Sequence, residues 1–455
     1  MIMPFDFAAR SRPLNIAVIG TGVAGMSAAW LLSGRHQVTV YEREGWIGGH
    51  SNTVEAPAPY GSIPVDTGFI VYNERNYPNL VALFDHLGVP TRPSDMSFAA
   101  SIDDGDLEYS GTGIGGMLAQ KRNLIRPRFW RMVRDIFRFY RHGLRLLDRG
   151  VEADSVTLGA FLDDERYSHS FVYNHLLPMA AAIWSTAVVD MRDHPASAFI
   201  RFCANHGLMQ MNERPQWRTV SGGSREYVRR LTARYRDRVR LGSGVRAVSR
   251  VDGQVLVTDD FGTQASYDHV VIAAHADQAL TMLADPDADE RAVLGAFRYA
   301  RNHAVLHRDA ALMPKRRKVW SSWNYLSRRR DDGSSAVCVT YWMNRLQGLD
   351  PAVPLFVTLN ANRPPRPESV IATFDYDHPM FNLDAMTAQR RLWSLQGRRN
   401  TWFCGSYFGA GFHEDALQAG LAVAEALGGV RRPWTVDNES GRLHLPVDGL
   451  RAVAA

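Results

Sequence analysis

The stretch Asn15-Ile16-Ala17-Val18-Ile19-Gly20-Thr21-Gly22-Val23-Ala24-Gly25 constrains this chain more than any other. Five largely apolar residues suit a buried parallel strand, and a G-x-G-x-x-G turn follows directly. A helical pattern with apolar Met26, Ala29, Leu31 and Leu32 comes next, and a second strand runs from Gln37 to Tyr41. Strand, glycine turn, helix and strand within about 30 residues make a βαβ unit. Gly20 makes the tight turn, Gly22 lets backbone approach a pyrophosphate, and Gly25 lets helix pack closely on strand. The helix N-terminus, at Val23 and Ala24, offers unpaired N–H groups and partial positive charge to phosphates. Glu42 ends the second strand 17 residues after Gly25, where a carboxylate accepts hydrogen bonds from a ribose hydroxyl. The competing reading, a chance glycine-rich turn, does not account for this order of elements.

The 455 residues suffice for two or three domains. With 45% hydrophobic and 22% charged residues there is apolar material for a core, which excludes a disordered chain. Cys203, Cys338 and Cys404 are widely spaced and odd in number, so no disulfide framework or cysteine zinc site follows and a reducing compartment fits. His and carboxylates show no H-E-x-x-H spacing, so no metal is expected. No apolar run is long enough to span a membrane, and the first residues lack a continuous apolar signal core. The expected location is the cytoplasm, with attachment to the inner face of the membrane as an open possibility.

Residues 1–13 read as a flexible tail, and 76–217 as mostly helical. Strand signals lie at 239–241, 245–248, 254–258 and 269–273, then at 303–308, 317–326, 335–343 and 354–360. A short strand at 400–405 precedes a helix to Leu427. The expected fold is α/β: a discontinuous Rossmann-type domain from 14–75, 218–284 and 399–430. An inserted mixed α+β substrate domain, including a helical segment, comes from 76–217 and 285–398. Residues 431–455 form a C-terminal extension.

Residues 117–150 hold Lys121 and nine Arg against Asp135 and Asp148, a local charge of +8 in a chain of net +5. Pro127 suits a helix start and Gly150 its end. Between them Arg128, Arg131, Arg134, Arg138, Arg141, Arg145 and Arg149 fall within an arc of roughly 140°. Phe129, Met132, Val133, Ile136, Phe137, Phe139, Tyr140, Leu144 and Leu147 are expected on the other side. The predicted helix 127–149 is therefore basic and amphipathic. It either lies on anionic lipid or packs on its own domain and leaves the Arg in water. Nucleic acid is not an expected partner, because no binding motif accompanies the charge.

After Glu42 the chain reads Arg43-Glu44-Gly45-Trp46-Ile47-Gly48-Gly49-His50. This resembles the flavin-containing amine oxidase superfamily, whose fingerprint continues E-R-x-x-x-x-G-G-R; His50 stands where Arg is usual. Asp66-Thr67-Gly68 with Tyr77-Pro78 resembles the family's next block. Gly222-Gly223, Gly244-Val245 and Val270 to Ala274, including Ala273, resemble its middle region, with Val245 at the adenine-contacting position. Phe403-Cys404-Gly405-Ser406 and Gly411-Phe412-His413-Glu414-Asp415-Ala416 resemble its C-terminal flavin block. The resemblance implies an amine oxidase/glutathione-reductase-like fold with non-covalent FAD. It places Gly20, Gly22, Val23, Ala24, Gly25, Glu42, Arg43, Gly48, Gly49, His50, Asp66, Thr67, Gly68, Val245, Ala273, Gly405, Phe412, His413, Glu414 and Asp415 around the cofactor.

Trp320 to Tyr325, Tyr341 to Asn344, Thr358 to Asn360, His378-Pro379 and Gly411 to Asp415 resemble a bacterial subgroup of predicted NAD/FAD-binding proteins associated with cyclopropane-fatty-acid-synthase-like methyltransferases. That resemblance implies a lipid or small-molecule substrate and a lipid methyltransferase partner. Its most concrete form is desaturation of a methyl-branched acyl chain, as in furan fatty acid synthesis.

Many amine oxidases carry a Lys near flavin N5, in the region after the 270–274 strand. Here that region reads Arg301-Asn302-His303-Ala304-Val305-Leu306-His307, without Lys. His303 is the first candidate for a polar catalytic group; the alternative is a structural histidine. His378 is a further catalytic candidate, and Tyr341 is one through the aromatic segments, which line a pocket or simply pack the core. Three readings stand: an FAD oxidoreductase acting on an acyl chain, a soluble amine oxidase releasing hydrogen peroxide, and a non-catalytic flavoprotein partner of a methyltransferase.

Overall fold

The computed structural model describes residues 12–150, 155–184, 190–210, 214–329 and 335–446. Residues 1–11 of the expected tail and 447–455 of the expected extension lie outside them.

Five parallel strands form the first sheet, in the order Val239–Arg240, Gln37–Tyr41, Asn15–Ile19, His269–Ile272 and Thr401–Phe403. Ile16, Ala17 and Val18 are completely buried, as in a strand covered on both faces. Helix Val23–Leu32 covers one face and packs against helix His413–Ala426. A Cβ at Gly420 would lie 2.2 Å from the Ala24 carbonyl oxygen, so the two helices touch backbone to backbone. A three-stranded antiparallel sheet, Val245–Val251, Gln254–Asp259 and Gln264–Tyr267, also packs on the parallel sheet. Gly20, Glu42, Ala273 and Gly405 lie just beyond the carboxyl ends of four strands. Sequence far apart thereby converges on one crevice, the place where open α/β sheets bind ligands.

A second sheet of seven strands runs Val370–Met380, Arg298–His307, Phe356–Leu359, Ser335–Trp342, Trp323–Arg329, Phe98–Ile102 and Leu107–Ser110. Its one parallel pair joins Trp323–Arg329 to Phe98–Ile102. The structure adds strands at two places that the sequence reading leaves unassigned and corrects the start of a third. First, 76–217 is mostly helical as expected, but it also supplies the strands Thr91–Ser94, Phe98–Ile102 and Leu107–Ser110. Phe98–Ile102 and Leu107–Ser110 pair with each other as a short hairpin across the turn Asp103 to Asp106, whereas Thr91–Ser94 pairs with distant Trp217–Val220. Second, Val370–Met380 is a strand despite Pro379 and two aspartates; it lies at the sheet edge, where proline and charge are tolerated. Third, Arg317–Val319 is a 3₁₀ turn and the strand begins only at Trp323. Asn324 holds the intervening loop by accepting from Ser321 N–H at 2.9 Å and donating to its carbonyl.

The basic helix spans Pro127–Leu147. Phe129, Met132, Ile136 and Phe139 face inward, against helices His169–Phe171 and Ala196–Asn205. Phe137 and Leu144, expected on that side, are 46% and 50% exposed, because the buried arc is narrower than the apolar one. Residues 431–446 do not trail from the domain. Trp434 stacks on Trp30 at 5.9 Å, and fully buried Arg432 meets Glu425 at 2.8 Å and Asn79 at 3.0 Å.

Candidate active site

At the phosphate turn, Gly20 has φ +100°, and a Cβ there would sit 2.6 Å from the Ala273 carbonyl oxygen. A Cβ at Gly25 would lie 2.0 Å from the Gly20 oxygen. Gly22 differs: no atom lies within 4 Å of its Cβ position. It is also the N-cap of helix Val23–Leu32, without a side-chain capping bond. The first-turn N–H groups therefore face a space that two neighbouring glycines shape and no side chain fills, which suits a pyrophosphate. Glu42 is buried. One of its oxygens accepts from the Thr21 N–H at 2.9 Å and from the Thr21 hydroxyl, the other from Glu44 N–H at 2.8 Å. The second oxygen keeps a lone pair for a ribose hydroxyl. Val245 begins the strand after Ser243, whose N–H donates to the Glu42 carbonyl at 2.8 Å. Arg43 is mostly exposed beside Glu44. These residues fit FAD.

Gly49 continues the cleft, since a Cβ there would meet Gly22 Cα at 3.1 Å. The next residue, His50, lies 4.8 Å from the Tyr376 ring and 5.3 Å from the His378 ring. Gly68 underlies it, with room for no side chain against the His50 carbonyl. Thr67 shares a 2.7 Å hydrogen bond with Tyr376 Oη. His413 stacks on Phe69 at 3.8 Å and bonds Tyr227 Oη through Nε2 at 2.8 Å. His275 stacks on Tyr299 at 4.3 Å. Burial pulls His50 and His275 down to about 4, and His378 and His413 to about 3, each with a smaller contribution from a neighbouring charge. The inner end of the cleft is thus ringed by neutral imidazoles.

Three expected cofactor residues play a different part. Asp66 accepts from Thr53, from Ser224 N–H and hydroxyl, and from Gln347 Nε2 at 2.9 Å. Burial pushes it up to about 6. Glu414 caps helix Pro78–Leu87 by accepting from Asn79 N–H and Leu80 N–H, each at 3.0 Å. Asp415 accepts from Phe412 N–H at 2.7 Å and pairs with Arg442 at 2.8 Å. Their acceptor sites are spent inside the protein, so these carboxylates brace the cleft rather than line it.

Beyond Thr67, Tyr376, His378, Phe412 and His413 the cleft opens into a cavity of about 210 Å³. Its wall includes Phe69, Ile70, Met179, Phe202, Trp323 and Tyr341. Tyr341 and Trp323 meet edge to face at 5.0 Å. Among the described residues the wall contains no Asp, Glu, Lys or Arg. Trp320 is not part of it; it packs on Trp342 at 5.5 Å and under Arg317.

His303 is a correction. It is 55% exposed and pairs with Asp375 at 3.0 Å. Strand alternation turns its neighbour Asn302 to the site instead. Asn302 is 1% exposed and donates to His378 Nδ1 at 3.0 Å. Composition and motifs do not mark Asn302. His307, further along the same strand, is buried and bonds Thr358 at 2.7 Å.

Residues 23–428 match the profile of the flavin containing amine oxidoreductase family. Over 268 residues the chain is 27% identical to a Mycobacterium tuberculosis protein, AofH, named as a flavin-containing monoamine oxidase; the match takes in 57% of this chain and 56% of that one. The chain thus spans little more than half the length of the curated relatives it matches. Among solved structures, the conjugated-linoleic-acid-producing fatty acid isomerase of P. acnes superposes with TM-score 0.63 at 16% identity, over 90% of this chain and 98% of its own. Cyclohexylamine oxidase from Brevibacterium oxydans gives 0.62 at 15%, over 91% and 100%. These likenesses establish the fold. The chain belongs to the flavin containing amine oxidoreductase family, and its cofactor is FAD.

Proposed function

We propose that this protein desaturates an acyl chain of a membrane lipid, a methyl-branched chain of the kind that leads to furan fatty acids. The observation that carries this reading is the uncharged, aromatic and aliphatic cavity wall at the inner end of the cofactor cleft. An acyl chain leaves water for such a wall at a gain of about 25 cal/mol per Å². A cationic amine would find no carboxylate there. The bacterial subgroup resemblance, with its methyltransferase association, supports the methyl-branched form and a methyltransferase partner.

FAD, when bound, supplies a two-electron acceptor for hydride. Gly20, Gly22, Val23, Ala24 and Gly25 would hold its pyrophosphate, and Glu42 its ribose. Gly48, Gly49, His50, Thr67, Gly68, Val245, Ala273, Gly405, Phe412 and His413 would surround the rest. The apolar wall keeps water from the reacting carbons, and Trp323 and Tyr341 fix the chain laterally. His378 presents a hydrogen-bond donor at the cavity edge. Desaturation takes a hydride and a proton from adjacent carbons, so that the C–C bond becomes a double bond, and the proton would pass to the neutral imidazole of His413 in the cavity wall.

Lipid extracts from a strain lacking the gene test this reading. Accumulation of saturated methyl-branched acyl chains supports it, and an unchanged acyl profile contradicts it. A second reading, amine oxidation, draws on the mycobacterial relative's name. Peroxide release with simple amines is its signature.

A further inference from the structure

The outward side of the basic helix carries more than arginine. Trp130, Phe137 and Leu144 follow one another at seven-residue intervals and are 47%, 46% and 50% exposed. Leu124 and Ile125 extend the stripe from the 3₁₀ turn Lys121–Ile125 at 49% and 85%, and Ile114 is 81% exposed. Successive members of a seven-residue series drift only about 20° around a helix, so the three side chains form one ridge. Trp130 Nε1 donates to the Leu124 carbonyl at 2.9 Å. Its polar atom is therefore satisfied within the protein, and the ring can leave water without stranding a donor. Arg131, Arg134, Arg141 and Arg145 are exposed alongside. Arg131, Arg141 and Arg145 have no ion-pair partner among the described residues, whereas Arg138 is tied inward to Asp135 at 2.9 Å.

We propose that this face docks on an anionic bilayer, with the apolar ridge entering the headgroup region and the free arginines meeting lipid phosphates. Charge selects this occupant. A second copy of the chain, packed about a two-fold axis, would set these arginines against their own counterparts. An anionic surface attracts each of them, and the ridge adds apolar burial that arginine alone does not provide.

The buried side of the basic helix connects to the cavity wall through a chain of rings. Phe139 of the basic helix lies 6.3 Å from Phe199, Phe199 lies 5.7 Å from Trp184, and Trp184 lies 4.7 Å from Phe202 in the cavity wall. The inference goes beyond the substrate reading and stands without it, since docking is measured without turnover.

The test is sedimentation of the FAD-loaded protein with vesicles of phosphatidylcholine alone or mixed with phosphatidylglycerol. The parent should sediment only with the anionic vesicles and keep part of its binding at high salt. Replacing Arg131, Arg141 and Arg145 together by Gln should weaken binding at low salt roughly a hundredfold. Replacing Trp130, Phe137 and Leu144 together by Ser should remove the salt-resistant part, a loss of roughly tenfold or more at high salt. Both variants should keep the parent's flavin spectrum, which reports an intact fold. Parent-like vesicle binding by both variants overturns the proposal. So does a parent that ignores vesicles and instead forms a dimer that the Ser variant dissolves.

Discussion

Asn302 donates its side-chain N–H to Nδ1 of His378 at 3.0 Å, and a backbone group fixes the direction of that bond. His303 N–H can only donate, and it donates to Asn360 Oδ1 at 3.0 Å. Asn360 Nδ2 must then donate to Asn302 Oδ1, at 2.7 Å. That leaves Asn302 Nδ2 to meet His378, whose Nδ1 is therefore the acceptor. With its pKa pulled down to about 3 by burial, His378 is neutral and carries its proton on Nε2.

Asn302 is a positioning residue, and its replacement reads out through pH. Asn302→Ala should leave FAD content unchanged and lower kcat roughly tenfold, the worth of one buried hydrogen bond. Asn302→Asp places a carboxylate beside the ring, which favours imidazolium and raises the His378 pKa from about 3. Its activity should fall on the acid side of a new limb that the parent lacks. Identical pH–rate profiles for parent and Asn302→Asp would remove this role.

Gly22 and Gly25 should respond in opposite ways. Gly22 has φ −59° and open space at its Cβ position. Gly22→Val should therefore fold, as circular dichroism would show, yet retain less than roughly a tenth of the parent's flavin, because the side chain enters the phosphate space. Gly25→Ala would push a methyl to 2.0 Å from the Gly20 oxygen and should cost the fold itself.

The protein should be labile to mild acid. Eight histidines, His50, His175, His194, His206, His275, His307, His378 and His413, are pulled down to about 3 or 4 by burial. In the unfolded chain each titrates near about 6.5. Between those values the unfolded state binds more protons, so stability falls as pH falls from about 6.5 towards 4, by up to about 1.4 kcal/mol per pH unit for each group. Asp66 and Glu414, raised by burial, act in the opposite sense but are fewer. Thermal unfolding midpoints should drop steeply between pH 7 and pH 5. A flat profile there would contradict the buried neutral histidines.

Trp323 Nε1 is buried in the cavity wall and has no hydrogen-bond partner among the described residues. Its indole belongs to the wall that, on the proposed function, meets the acyl chain. Trp323→Phe should raise KM roughly tenfold with little change in kcat, and should not lower thermal stability, since an unsatisfied donor is removed. Unchanged KM would assign the ring to packing alone.

The cofactor half of the molecule was largely legible because its residues are tied to backbone geometry. Gly20, Gly22 and Gly25 occupy positions where a Cβ either collides or blocks a phosphate, so the motif reports structure directly. The substrate half was less legible. Its sheet joins Phe98–Ile102 to Trp323–Arg329 across more than two hundred residues, and no local pattern records such a pairing. Asn302 and His303 show the same limit at a single site. Alternation put one of them inward, but the more reactive side chain drew attention to the outward one. Asp66, Glu414 and Asp415 stand within cofactor motifs yet serve as buried braces, a difference that depends on Ser224, Asn79 and Arg442 from elsewhere in the chain.

Anaerobic mixing of the FAD-loaded protein with candidate substrates tests the central claim most directly, through loss of the flavin's visible absorbance. Phospholipid bearing a methyl-branched acyl chain should bleach the flavin and yield an unsaturated product, while simple primary amines should leave it oxidised. Bleaching by amines, with the lipid inert, would contradict the account.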